Sequence, residues 1–296
     1  MEFRQLRAFV EVVRQGGFSP AAKVVFATQS AVSKAVKQLE DELGVPLLNR
    51  LGHRVTLTSA GEAVFRRGTK LLADRDDLLT ELDEVRGLQR GALRLGLPPV
   101  GSNTLFAPVF ARFRQRYPGI DVQLLEEHGS DALEARLRSG DVDLAATLLP
   151  APSDFAWQLV RREPLVALLP ALHPLARRPS VTLTALRDTP FVLFGDGFSL
   201  HRIVLDACRA AGFAPHVVAR STQISFMVQL VGAGLGVAFF PRMIALQRGN
   251  ANVRAVKLVE PRLEWAMSLA WRRDAYLSAA ARAWLAMVAQ EWETPS

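Results

Sequence analysis

Apolar side chains recur at Leu6, Phe9, Val10 and Val13, which places them on one face of a helix. Gly16-Gly17 ends the run, so a helix is predicted over residues 3–15. A short second helix follows, with Ser19 as its N-cap and the small pair Ala21-Ala22 leaving room for another helix. After a break at Ala27-Thr28-Gln29, a third helix runs over residues 30–43 and stops at Gly44. Its apolar stripe is Val32, Val36, Leu39 and Leu43, while Ser30, Ser33, Lys34 and Lys37 lie towards the other side and Gln29 stands at the entrance. Val55 and Leu57 then alternate with Thr56 and Thr58, the mark of a half-buried strand, and Gly52 permits a hairpin turn back to residues 47–50. Ser59-x-x-Glu62 reads as a capping box opening a long helix to about residue 86. On that helix Val64, Leu71, Leu78 and Val85 repeat every seven residues beside Leu72, Leu79 and Leu82, a seam for pairing with a second subunit or with the chain's own body.

Residues 87–91 are the expected hinge. Beyond them short apolar strands alternate with helices: strand 93–97, helix 103–116, strand 120–125, helix 131–139 and strand 142–147. A second set comprises strand 165–169, helix 184–187, strand 191–194, helix 200–212, strand 216–219, helix 223–232 and strand 236–240. Strand 265–271 and an amphipathic helix over 276–292 close the chain. Such alternation predicts an α/β domain with helices over a largely parallel sheet.

The length, 296 residues, exceeds what one core usually serves, so more than one domain is expected. An apolar share of 49% with 22% charged residues excludes a disordered chain. A single cysteine, Cys208, excludes an intrachain disulfide and a cysteine-rich metal site. The opening Met-Glu-Phe-Arg-Gln-Leu lacks a signal-peptide core, so a cytoplasmic location is expected. The 21-residue uncharged stretch 221–241 is long enough to span a bilayer, but its polar side chains and glycines fit a buried helix, a turn and a core strand better; no membrane partner is expected.

Net charge is +7, and residues 1–70 hold 11 basic against 6 acidic side chains. A compact basic head suits a polyanion. Two short helices followed by a third with a small, polar, basic outer face form a helix-turn-helix, whose last helix enters the major groove of duplex DNA. Gln29 can pair bidentately with adenine, Ser30 and Ser33 are short enough to admit the groove wall, and Lys34 reaches a guanine edge or a phosphate, with Lys37 on the same side. The hairpin adds a wing carrying Arg50, His53 and Arg54; arginines there face phosphates or a narrow minor groove, whereas His53 reads as a solvated loop residue. A dimer through the long helix would present two such heads.

Phe18-Ser19-Pro20-Ala21-Ala22, Thr28-Gln29-Ser30-Ala31-Val32-Ser33, Gln38-Leu39-Glu40-Asp41-Glu42-Leu43-Gly44 and Leu57-Thr58-Ser59-Ala60-Gly61 follow in the order and spacing of the LysR-type transcriptional regulators, which residues 1–65 resemble closely and the whole chain fits in length. The resemblance implies that Gln29, Ser30, Ser33, Lys34 and Arg50 contact operator DNA. Two departures bear on base preference: position 30 is often proline in the family, and Lys34 stands where arginine is more usual, a point charge in place of a planar fork. The implied layout is a winged helix-turn-helix (1–58), a linker helix and hinge (59–90) and an effector domain (91–296), which is a pair of α/β subdomains like those of periplasmic binding proteins, 91–161 with 266–296, and 162–265. It also implies a tetramer of two dimers and recruitment of RNA polymerase.

An effector would bind between the subdomains, where loops at strand ends meet helix starts. Pro99, Val100, Gly101, Ser102 and Asn103 form one such loop, Ser130 opens a second, and Thr222 and Gln223 a third; Phe194, at the end of strand 191–194, joins them. Hydroxyls and amides at helix starts suit a small carboxylate, with no cofactor or metal. Segments 95–102 and 191–201 look most like the branch linked to acetate and pyruvate metabolism. Peroxide-sensing members use two cysteines here; the match sets Ser199 at the first position and Cys208 at the second, so a reversible disulfide cannot form.

Enzymatic signatures are missing. Gly232-Ala233-Gly234-Leu235-Gly236 follows a helix and precedes a strand, the reverse of a dinucleotide loop. The five histidines lack metal-ligand spacing, and Gly197-Phe198-Ser199-Leu200-His201 lacks the second glycine of a nucleophile elbow. The competing expectation is a solute-binding protein or enzyme with an incidental helical head.

Overall fold

A computed structural model describes residues 1–51, 54–85 and 91–292. Helix α1 (Phe3–Arg14) buries Leu6, Phe9 and Val10. Helix α2 (Phe18–Val24) begins two residues earlier than its sequence suggests, because Phe18 already packs on the head's core; Gly17 is its N-cap and Ser19 lies exposed in the first turn without capping. Helix α3 (Gln29–Leu43) is capped by Thr28, whose hydroxyl accepts the Ala31 N–H at 3.2 Å, and ends at Gly44. Val32, Val36 and Leu39 are at most 2% exposed and share one core with Leu6, Phe9 and Val12 of α1.

Strands β1 (Leu48–Leu51) and β2 (Arg54–Leu57) pair antiparallel, with Leu48 opposite Leu57. The expected turn residues Gly52 and His53 lie outside the described residues. The Glu40 carboxylate accepts the N–H groups of Leu47 and Leu48 at 2.7 and 3.2 Å, fastening α3 to the start of the wing. Helix α4 (Ser59–Val85) is capped by Thr58, not Ser59: the Thr58 hydroxyl accepts the Gly61 N–H at 2.9 Å and donates to the Pro46 carbonyl at 2.8 Å. Any β-carbon at Gly61 would stand 2.0 Å from the Leu47 carbonyl oxygen, so only glycine lets α4 start this close to the wing. Leu72 turns towards the head, while Leu71, Leu78, Leu79 and Leu82 are each 43–55% exposed. The side chain of Val85 and the hinge residues 87–90 lie outside the described residues.

Most of the chain from residue 91, namely 91–137, 142–273 and 279–292, forms a second compact unit. Its first stretch is β3 (Gly91–Leu97), α5 (Ser102–Leu105), α6 (Ala107–Arg116), β4 (Ile120–Glu126), α7 (Ser130–Arg138) and β5 (Leu144–Leu148). The helix expected over 103–116 is two helices: Phe106 divides them, and Pro108, lacking an N–H, sits in the first turn of α6 where none is needed. Then come β6 (Phe155–Pro170), β7 (Ser180–Thr182), a 3₁₀ turn at Thr184–Leu186, β8 (Phe191–Phe194), α8 (Ser199–Ala210), β9 (Val217–Ser221), α9 (Ile224–Gly232), β10 (Ala238–Pro241), α10 (Arg242–Arg248), β11 (Val253–Glu260), β12 (Glu264–Arg272) and α11 (Ala279–Trp292). The uncharged stretch 221–241 is thus shared between α9, a glycine turn and β10, and no helix of the described residues is long and apolar enough to cross a membrane.

The main sheet runs β4-β3-β5-β12-β6-β11-β7, with β10 also on β6. It is mixed, not largely parallel: β3 pairs parallel with β4 and β5, but β12 and β11 lie antiparallel to β6. Strand β6 is far longer than the expected 165–169. Residues 155–164 pair with β12 and residues 165–170 with β10 or β11, so one strand serves two halves of the sheet. Beyond it β8 and β9 pair parallel, joined to the rest by a bridge from Phe191 to Val237. The second half has its own apolar core, in which Cys208 and Phe191 are fully buried.

Candidate DNA-binding and effector sites

With Val32, Val36 and Leu39 buried, the helical repeat turns Ser30, Lys34 and Lys37 outwards, and Gln29 opens α3; all four are exposed and Ser33 is half-buried. Besides accepting from Ala31, Thr28 Oγ1 lies 3.1 Å from Ser30 Oγ, which orders the start of this face. Neither Lys34 nor Lys37 has an ion-pair partner among the described residues. Cations held out of any internal pair remain available to an external anion. The wing's backbone sets Arg50 opposite Val55 and Arg54 opposite Leu51; the side chains of both arginines lie outside the described residues.

In the second unit, the β4–α7 loop meets the β8–α8 loop. The hydroxyls of Ser130 and Ser199 are 2.9 Å apart, the rings of His128 and Phe198 stack at 5.4 Å, and a β-carbon at Gly129 would stand 2.4 Å from the Gly197 carbonyl oxygen. Ser130 and Ser199 each begin a helix, so two N-termini with their free N–H groups converge on one place. Between these loops and the β3–α5 loop lies a cavity of about 30 Å³, room for about two waters. Its wall is apolar at Pro98, Val100, Ala146, Leu148, Phe198, Leu200, Trp265 and Met267, and polar at His128, Ser130, Thr147 and Ser199. Thr147 Oγ1 donates to Glu134 at 3.1 Å, which fixes its hydroxyl.

Of the residues expected at an effector site, Val100 and Ser130 line this cavity. Gly101 backs it with φ +91°, packed so tightly on Trp265 that a β-carbon would stand 2.4 Å from the indole, and the Ser102 hydroxyl donates to the Pro98 carbonyl. Pro99 and the exposed Asn103 are not in the wall; nor are Thr222 and Gln223, both exposed at the start of α9. Phe194 sits behind the wall, 2% exposed, its ring 5.0 Å from that of Phe198. Sequence reasoning did not place Ser199, His128, Thr147 or the two β12 side chains, Trp265 and Met267, in this wall. Among them only Ser199 carries a local signal, a serine at a helix start, and its match to a cysteine position obscures that signal.

Cys208 of α8 is fully buried, and burial pushes its thiol up to about 11. Burial likewise holds the imidazole of His173 below the usual histidine range.

Residues 86–293 match the family described as LysR substrate binding domain, and residues 3–62 that described as bacterial regulatory helix-turn-helix protein, lysR family. The chain is 34% identical over 286 residues to Uncharacterized HTH-type transcriptional regulator YwbI of Bacillus subtilis (strain 168), covering 96% of this chain and 95% of that protein. It is 34% identical over 244 residues to Transcriptional dual regulator GltC of the same organism, covering 81% of each. Among solved structures it is similar to a full-length OxyR variant from Pseudomonas aeruginosa, with a TM-score of 0.76 and 25% identity over 98% of this chain and 95% of that one.

A raised thiol pKa stabilises the fold below the unfolded value of 9.0, and that contribution is lost as pH climbs through about 11. A thiol that ionises near 11 instead of 9.0 has a thiolate fraction about 100-fold smaller at pH 8. Iodoacetamide is therefore expected to label the native chain about 100-fold or more slower than the urea-unfolded chain. Equal rates would show that Cys208 is accessible and ionisable.

Proposed function

Because the chain belongs to the LysR-type transcriptional regulators, a family of regulators and not of enzymes, we propose that α3 reads promoter DNA through Gln29, Ser30, Ser33, Lys34 and Lys37 while Arg50 and Arg54 of the wing hold the backbone. The observation that carries this is the outward face of α3, polar and basic with both lysines unpaired among the described residues, opposite the buried Val32, Val36 and Leu39; Leu43, the last residue of the expected stripe, is 38% exposed. A solute-binding protein or enzyme with an incidental head is disfavoured, since the head matches its family over residues 3–62 independently of the body.

The proposed domains are 1–58, the linker 59–90, and an effector domain 91–296 with subdomains 91–161 plus 266–296 and 162–265. The division of β6 between two halves of the sheet supports that boundary. The exposed leucines of α4 favour a dimer, and a dimer of dimers is the assembly proposed, acting in the cytoplasm and recruiting RNA polymerase.

The effector proposed is a small organic acid. Two helix N-termini and the hydroxyls of Ser130 and Ser199 favour an anion, and a wall without arginine or lysine among the described residues favours a single weak charge. In this state the cavity is too small for more than about two waters, so binding requires the Ser130–Ser199 bond to open, which moves the two loops apart and links effector to geometry.

Operator affinity is expected to fall steeply with salt. Lys34→Ala and Lys37→Ala should each weaken operator binding, by about tenfold, and flatten the salt dependence by about one counterion, without a change in melting temperature. Gel shift with upstream DNA over a salt series measures this, and wild-type affinity in both variants would remove the assignment. For the effector, thermal melting of the full chain with two- to four-carbon carboxylates should show stabilisation of ~2–3 kcal/mol at a hundredfold excess over Kd, lost in Ser199→Ala. An equal shift from the corresponding neutral amide would contradict an anion site.

A further inference from the structure

Trp265 of β12 is 2% exposed and forms part of the wall of the cavity beside the β4–α7 and β8–α8 loops. Its six-membered ring is packed on one side against Gly101, where a β-carbon would stand 2.4 Å from Cη2 and 2.8 Å from Cζ2. An indole Nε1–H donates only, and when buried it normally finds an acceptor. That of Trp265 has no partner among the described residues. Two tryptophans of α11 stand in contrast. Trp292 Nε1 donates to the Leu105 carbonyl at 3.0 Å. Nε1 of Trp284 is sealed in without a hydrogen bond, its ring edge-on to those of Phe113 and Phe110 at 5.3 and 6.2 Å. Nε1 of Trp265 is not sealed in this way, and on a side chain so nearly buried the space within its reach is the cavity.

Donors of three kinds therefore meet in one small space: the Ser130 and Ser199 hydroxyls, the N-termini of α7 and α8, and an indole N–H. The Thr147 hydroxyl is already committed to Glu134. The loops supply the first two kinds, whereas the indole comes from the sheet. A carboxylate has two acceptor oxygens and can take donors from both directions at once. The position of Trp265 in the sheet adds a consequence. It pairs with Glu163 of β6, two residues before Leu165, where β6 begins to pair with β10. A ligand bonded to it is thus fastened beside the joint between the halves, as well as to a loop from each half.

We propose that the indole N–H of Trp265 binds the effector, donating to one carboxylate oxygen while the hydroxyls of Ser130 and Ser199 donate to the other. The proposal rests on the reading of the effector as a small organic acid, and it assigns that acid a contact on the sheet, next to the joint about which the halves move.

The test titrates the full chain with sodium acetate, propionate and butyrate by calorimetry. Trp265→Phe keeps a ring against Gly101 and removes the N–H. It is expected to bind the wild type's preferred salt at least about tenfold more weakly, as loss of a hydrogen bond to a charged group requires. Trp284→Phe, which removes an indole outside the cavity, should bind that salt within about twofold of the wild type. Lost packing would also weaken binding, so a second measurement uses the wild-type chain. Ultraviolet resonance Raman spectroscopy follows the indole band that responds to N–H hydrogen bonding, which should shift as the salt saturates the chain and not shift in Trp265→Phe. Three results would overturn the proposal: wild-type affinity in Trp265→Phe; equal losses in the two variants; or an indole band that stays in place on the saturated wild-type chain. Each of these leaves the small-acid reading standing, whereas a wild-type chain that binds none of the three salts removes that reading and this proposal together.

Discussion

Burial of one stripe of α3 against α1 sets the orientation of everything else in the head. Val32, Val36 and Leu39 are removed from water beside Leu6 and Phe9, each contributing roughly 1.5–3 kcal/mol. A helix pinned on one side has no freedom to rotate, so its opposite side must project outwards. Glu40 then carries the constraint across to the wing, because its carboxylate satisfies the first two N–H groups of that segment. Thr58 and Gly61 carry it further, to the start of the long helix. A short chain of contacts thus aims reading helix, wing and linker from a single apolar seam.

The second unit depends on a different device, the sharing of one strand. Strand β6 pairs with β12 along its first part and with β10 and β11 along its second, so the two halves of the sheet are joined through continuous backbone. Across the space between those halves, contact includes the Ser130–Ser199 hydroxyl pair, a Thr104–Gln247 hydrogen bond at 2.8 Å, an exposed Asp131–Arg202 ion pair at 3.8 Å, a ring stack and a glycine against a carbonyl. A continuous joint with an opening held by a few polar contacts, each worth about 1 kcal/mol, suits relative movement of the halves.

Much of the head was legible in the sequence because its code is local. Helix periodicity, the glycine at 44 and the alternation over 55–58 each act within a few residues. The errors there concern caps: Ser19 and Ser59 are plausible caps by composition, but packing of Phe18 moved the first start by two residues and the reach of Thr58 to Pro46 moved the second by one. The body was less legible. Residues 155–164 carry Arg161, Arg162 and Glu163, which mask a strand whose partners lie a hundred residues away, and β7 and β11 were hidden for the same non-local reason. The effector wall was half seen. Val100 and Ser130 stand at loop–helix junctions that a sequence reveals, whereas Trp265 and Met267 reach it from β12, through a pairing of strands that no local pattern announces.

The central claim is that the outward side of α3 enters the major groove, twice per dimer. Hydroxyl-radical footprinting of the full chain on its upstream DNA tests this most directly. Two protected patches on one face of the duplex, about 10 base pairs apart or a multiple of that, are the expected result. A lone patch would contradict the paired arrangement, and an unprotected duplex at low salt would contradict the reading of α3 itself.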